Sequence, residues 1–116
     1  MVDRLVFKIG AALIAAVFVS LAAAAAQADL RREHLVYFEN TPYELNIYKI
    51  KGRKDGPTMM IVGGIQGDEP GGFLSADLYI DLALKRGNLI VVPRANFYSI
   101  LKFQRGINGD MNRKFG

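Results

Sequence analysis

The alternation of apolar and polar positions changes several times along the chain. Leu35-Val36-Tyr37-Phe38-Glu39 is a short β-prone run, and Asn40-Thr41-Pro42 has the composition of a turn. Glu44 to Ile50 then alternates, with Leu45, Ile47 and Lys49 on one face and Asn46, Tyr48 and Ile50 on the other. The two runs predict an antiparallel hairpin near a sheet edge. Lys51 to Pro57 is polar and broken by Gly and Pro, so it reads as a loop. Thr58 to Val62 has no polar side, which predicts a central strand covered on both faces. Gly63, Gly64 and Gly67 give a turn, and Pro70 suits the first position of a helix. Phe73, Leu74, Ala76, Leu78, Ile80, Leu82 and Leu84 form its apolar stripe, with Lys85 and Arg86 in the last turn and Gly87 as its end. Asn88 to Val92 is a second buried strand stopped by Pro93. Strand, helix and strand at this spacing predict a βαβ unit with parallel strands and a right-handed crossover, hence an α/β fold.

Ahead of these elements lies a different pattern. Arg4 and Lys8 flank a few apolar residues, Ile9 to Ala26 carries no charge, and Ala26-Gln27-Ala28 ends the run with small residues at its first and third places. That order predicts a secretory signal peptide over residues 1–28, with an uncleaved membrane anchor as the competing reading. Residues 29–116 are then an exported domain in the periplasm. Membrane contact is expected only through the leader, if it is uncleaved.

Composition narrows the picture further. The net charge is +4, and removing the leader with Asp3, Arg4 and Lys8 lowers it by one. That is too weak to argue for nucleic acid, but it suits a polyanionic surface such as a cell wall. There are no cysteines, so an exported domain of this size must rely on its core alone.

Candidate chemistry gathers where the two predicted parallel strands end. Ligands of open α/β sheets bind at the carboxyl ends of strands. Gln66, Asp68 and Glu69 follow the first strand, and Arg94, Asn96, Arg105, Asn108, Asp110, Asn112 and Arg113 follow the second. Glu69 is a hard oxygen donor suited to zinc, and Gln66 offers a neutral amide oxygen, with two residues between them. Equally, Glu69 suits a helix N-terminus and Gln66 a loop amide. A phosphate loop is a weak reading, because neither G-x-G-x-x-G nor G-K-[ST] is present and two carboxylates would repel the ligand. Arg105, Asn112 and Arg113, spaced by glycines, suit an anionic group, and Asp110 is placed to buttress an arginine. A solvated basic loop is the other reading of that run. His34 reads as a surface or packing residue, and Arg53, Lys54 and Lys102 as solvated.

Taken together, Gly64-Ile65-Gln66-Gly67-Asp68-Glu69-Pro70-Gly71-Gly72 and Gly109-Asp110-Met111-Asn112-Arg113-Lys114-Phe115 resemble the first two motifs of the zinc metallocarboxypeptidases and their deacylase relatives. In that family the first motif carries a histidine and a glutamate that bind zinc. Gln66 stands at the histidine position. This is similar to a branch of peptidoglycan DL-carboxypeptidases that influence cell shape and use glutamine as a ligand. The resemblance implies the N-terminal part of a mixed-sheet carboxypeptidase-like fold, with a hairpin plus a βαβ unit. It also implies Gln66 and Glu69 as zinc ligands, Arg105 stabilising the oxyanion, and Asn112 and Arg113 holding the terminal carboxylate of a muropeptide. The family's third zinc ligand and its general base come later in the chain. The expectation is therefore an incomplete and inactive N-terminal piece of a longer enzyme that trims peptidoglycan stem peptides. The alternatives are a zinc-free carboxylate-binding pseudoenzyme and an aspartoacylase-like amide deacylase.

Overall fold

The computed structural model describes residues 8–9, 13–22 and 31–115. The chain divides into two units, Met1–Arg31 and Arg32–Gly116. In the first, residues 13–22 are helical and exposed. No helix among the described residues is long and apolar enough to cross a membrane. The expected cleavage triplet Ala26-Gln27-Ala28 lies outside them.

The second unit holds β1 (Arg32–Tyr37), β2 (Leu45–Lys51), β3 (Thr58–Val62), α1 (Pro70–Asp77), β4 (Asn88–Val92), α2 (Phe97–Leu101) and a 3₁₀ turn at Met111–Arg113. The sheet order is β1-β2-β4-β3. β1 and β2 form the expected antiparallel hairpin, in register from Arg32 opposite Ile50 to Tyr37 opposite Leu45. Its loop is tied by Thr41, whose hydroxyl donates to the Phe38 carbonyl at 2.6 Å, and by Glu44, whose carboxylate accepts from the Asn40 amide at 3.1 Å. β4 runs antiparallel to β2 and parallel to β3, so the sheet is mixed and the predicted parallel pair is present.

The two parallel strands differ in burial, and here the structure corrects the sequence reading. β4 is the central strand: Leu89, Val91 and Val92 are buried, with Val91 wholly inaccessible. β3 lies at the edge with one neighbour, and Met59 and Met60 are 65% and 57% exposed. An unbroken apolar run records what the backbone can tolerate, whereas burial also needs elements to cover both faces.

The helix is likewise shorter than its stripe. α1 ends at Asp77, and beyond it the backbone tightens into turns in which Leu78, Tyr79 and Ile80 N–H groups donate to the carbonyls of Ser75, Ala76 and Asp77. The cause lies downstream. Arg53 N donates to the Leu84 carbonyl at 3.1 Å and Gly87 N to the Lys54 carbonyl at 2.9 Å, so this segment is held by the loop after β2 and leaves the helix axis early. Gly87, with φ of +78°, serves that loop junction and not a helix end. The apolar stripe still works: Ile80 and Leu84 pack with Tyr48 and Ile61 against the buried cluster of Ile50, Ala76, Leu89 and Val91.

Candidate metal and carboxylate site

Everything chemical hangs on the bend after β3. The Gly63 amide donates to the Val92 carbonyl at 2.8 Å, and the Ala95 and Asn96 amides donate back to Gly63 and Gly64 at 3.0 and 2.9 Å. These bonds carry the parallel pairing past the ends of both strands and lock the two following segments together. Gly64 has φ of +63°, a left-handed conformation that a side chain would strain. Gly67 is required for a different reason. A Cβ there would collide with the Ser99 carbonyl group, because the Gly67 amide is pulled onto the Gln104 carbonyl at 3.0 Å.

α2 supplies the second wall. Asn96 caps it, its Oδ1 accepting from the Ser99 amide at 3.3 Å while its Nδ2 donates to the Ile65 carbonyl at 3.2 Å. One side chain thus fixes both the helix start and the turn after β3. Ser99 is almost fully buried, and its Oγ accepts from Ile107 N at 3.1 Å, pinning the loop that carries Arg105. The sequence reading passed over α2 and Ser99. The available signal was an Asn three residues before a Ser, a capping arrangement without the usual acid.

The resulting cavity has a volume of about 230 Å³ and is lined by the turn from Val62 to Gln66, by Glu69 and Gly72 at the start of α1, and by Asn112. Two motifs far apart in sequence therefore meet in one hollow. Gln66 is 8% exposed. Its Nε2 donates to Asp110 Oδ1 at 3.4 Å, which leaves Oε1 as the amide's remaining acceptor. Glu69 is the N-cap residue of α1, but its side chain makes no capping bond. Instead its Oε1 pairs with Arg105 at 3.2 Å. Arg105 also approaches Asp110, Nε to Oδ2 at 3.7 Å, so Asp110 buttresses an arginine as the sequence suggested. Arg113 sits on the 3₁₀ turn with its side chain exposed and does not line the cavity. Asp68 is exposed, and Arg94 is taken up by Asp77 of α1 while lying over the Phe73 ring.

Asp110 is the electrostatic pivot. Desolvation is the largest single influence and raises its pKa. The Asn112 amide, the Gln66 side chain and the charges of Arg105 and Arg113 together outweigh it and hold the carboxyl below its ordinary value. The outlying residues behave as expected: His34 stacks on Tyr48 at 4.2 Å and contacts Asn46, and Arg53, Lys54 and Lys102 are exposed.

As a zinc site these residues are a partial fit. Gln66 and Glu69 offer two oxygen donors on one wall, where a catalytic zinc normally takes three protein ligands. Among the described residues there is no cluster of three His, Cys, Asp or Glu able to hold a metal.

The model of a protein family described as the catalytic domain of carboxypeptidases controlling helical cell shape matches residues 32–116. Among solved structures the chain is similar to an aspartoacylase family protein from Mesorhizobium loti, with 25% identity and a TM-score of 0.59 over 72% of this chain and 29% of that one. It is similar in fold to a succinylglutamate desuccinylase/aspartoacylase from Rhodobacter sphaeroides, with 24% identity and a TM-score of 0.59 over 72% and 30%. A product-bound ectoine utilization protein from Ruegeria pomeroyi matches with 27% identity and a TM-score of 0.54 over 62% and 24%. The chain thus spans less than a third of the length of each of these structures. Comparison with curated protein sequences gave no match.

Proposed function

Because the chain belongs to the family of catalytic domains of carboxypeptidases controlling helical cell shape, we propose that it is part of a zinc-dependent carboxypeptidase that removes the C-terminal residue of peptidoglycan stem peptides. The observation that carries this reading is the cavity at the carboxyl ends of the parallel strands, where Gln66 and Glu69 of one motif meet Asn112 of the other. Periplasmic location, through a leader over residues 1–28, belongs to the same proposal.

In this reading Gln66 Oε1 and Glu69 hold the metal, with a histidine ligand and a glutamate base supplied by chain beyond this sequence. The bound ion supplies a Lewis acid that polarises a carbonyl and makes water more acidic. The protein's own residues do the rest. Asp110 holds the Gln66 amide nitrogen and so leaves the amide oxygen as the group available to a metal. Asn112 lies on the cavity wall and receives the free carboxylate that marks the end of a peptide, with Arg113, on the same 3₁₀ turn but outside the cavity lining, supplying positive charge beside it. That requirement limits cleavage to the last residue. Arg105 stands 3.2 Å from Glu69, so a group held by Glu69 falls within reach of its guanidinium, where charge developing on a carbonyl oxygen would be stabilised.

Glu69→Ala in the full-length protein tests the assignment. Zinc content measured by atomic absorption should fall from stoichiometric to background, and release of the terminal residue from a stem peptide should drop by at least about 10³-fold. Retention of both zinc and turnover sinks the proposal. A deacylase reading is favoured by one observation, the likeness to the aspartoacylase family protein. Parallel assays on stem peptides and on N-acyl amino acids separate the two, since hydrolysis of only the acyl amino acids selects deacylation.

A further inference from the structure

Arg105 lies in no helix or strand, and its side chain is 55% exposed where it meets Glu69. A long, solvated side chain samples many rotamers, so it faces a fixed point only if its backbone is held still.

One buried residue holds that backbone on both sides. Ser99, on α2, is 1% exposed. Its carbonyl accepts from the Gln104 amide at 3.0 Å, and its Oγ accepts from the Ile107 amide at 3.1 Å. Arg105 falls between these two anchors. The first anchor is tied a second time, because the Gln104 carbonyl accepts from the Gly67 amide of the turn after β3 at 3.0 Å. Beyond Arg105 the loop folds tightly on itself, since a Cβ on Gly106 would collide with the Gly109 carbonyl oxygen. Asn112 has a support of its own, its amide donating to Asp110 at 3.0 Å. The Ser99 hydroxyl therefore bears on the far side of Arg105 and not on the carboxylate-holding turn.

The residue type points the same way. A buried helical position gains nothing from serine, which is a poorer helix former than alanine and must find a partner for its hydroxyl. The Ile107 amide is that partner. Ile107 is half-buried, so without the hydroxyl its N–H can turn to water and release the loop.

We propose that Ser99 is a positioning residue for Arg105: its buried hydroxyl closes the loop onto α2 and holds the guanidinium where charge develops in the transition state. This rests on the peptidase reading and adds a residue that governs rate through Arg105 without touching substrate.

Steady-state kinetics of the full-length protein on a stem peptide test it. Ser99→Ala should lower kcat about tenfold, less than the roughly 10²–10³-fold lost when a charge-stabilising donor is removed outright. KM should stay unchanged, because Asn112 keeps its support. In an Arg105→Ala background the same substitution should cost nothing further in kcat, since the hydroxyl then has no guanidinium to aim. Ser99→Cys is close to serine in size with a weaker acceptor, so its kcat should fall between those of wild type and Ser99→Ala. If Ser99→Ala is unfolded at the assay temperature, Ser99→Cys carries the same comparison. Unchanged kcat, a loss seen mainly in KM, or losses that multiply in the double variant would each overturn the assignment and leave the peptidase reading intact. A wild-type protein without turnover on the stem peptide overturns the peptidase reading and this one with it.

Discussion

Asp110 decides how the two motifs are held relative to each other. Its Oδ1 accepts from the Asn112 amide at 3.0 Å and from Gln66, and its Oδ2 faces Arg105. Because the folded pKa is depressed, its contribution is fully present above the unfolded value of about 3.9 and is lost as pH falls through the lower folded value. Hydrogen exchange of the Asn112 amide should therefore be slow at neutral pH and lose protection in acid below about pH 4. In Asp110→Ala it should be fast throughout, and an unchanged exchange profile in that variant would refute the pivot. Gly67 gives a second residue-level expectation. A methyl group there would overlap the Ser99 carbonyl group, so Gly67→Ala must push the turn off α2. A loss of about 1–3 kcal/mol in denaturant titrations follows from overpacking of this kind. Gln66 and Glu69 were legible in the sequence because glycines and Pro70 frame them. Asp110's hold on Gln66 was not, because it joins positions that only the parallel pairing brings together.

At the level of elements, α1 must be aimed so that Glu69 at its N-cap faces the cavity. Two features aim it: the packing of Ala76 into the core, and the ion pair between Asp77 and Arg94 just after β4. Both partners are about one-third exposed, so the pair lies between a surface salt bridge and a buried one. Arg94→Met should cost about 1 kcal/mol, and under the proposed zinc reading it should also lower zinc affinity of the full-length protein by loosening the helix that carries Glu69. Competition with a chelator reads the second effect; an unchanged affinity would confine Arg94 to a structural role. Strand positions were readable, since β4 coincides with its apolar run. The early end of α1 was not, because it is set by hydrogen bonds from Arg53 and to Lys54 that no local periodicity encodes.

For the Arg32–Gly116 unit, the sequence showed how much apolar surface there is without showing what covers it. β3 has a free edge, and the groove beside it, of about 420 Å³, is lined by Met59, Ile61, Tyr79, Leu82 and Leu84 among others. Met60, Leu74 and Leu78 add exposed apolar surface nearby in the chain. Unpaired edge groups flanked by apolar side chains are a template for another strand. At its own length the chain should therefore self-associate through β3, and sedimentation velocity should show a weight-average mass rising with concentration. A lysine on an edge strand costs little while isolated and opposes pairing once a second strand approaches. Met60→Lys should accordingly shift the distribution toward monomer without changing the far-ultraviolet circular dichroism. The hairpin supplies the control, because β1 is the sheet's other edge and carries charge at Arg32 and Glu33, which already blunts it. Val36→Lys on β1 should leave the association unchanged. Equal effects from the two substitutions would mean that general surface charge, and not the β3 edge, governs assembly.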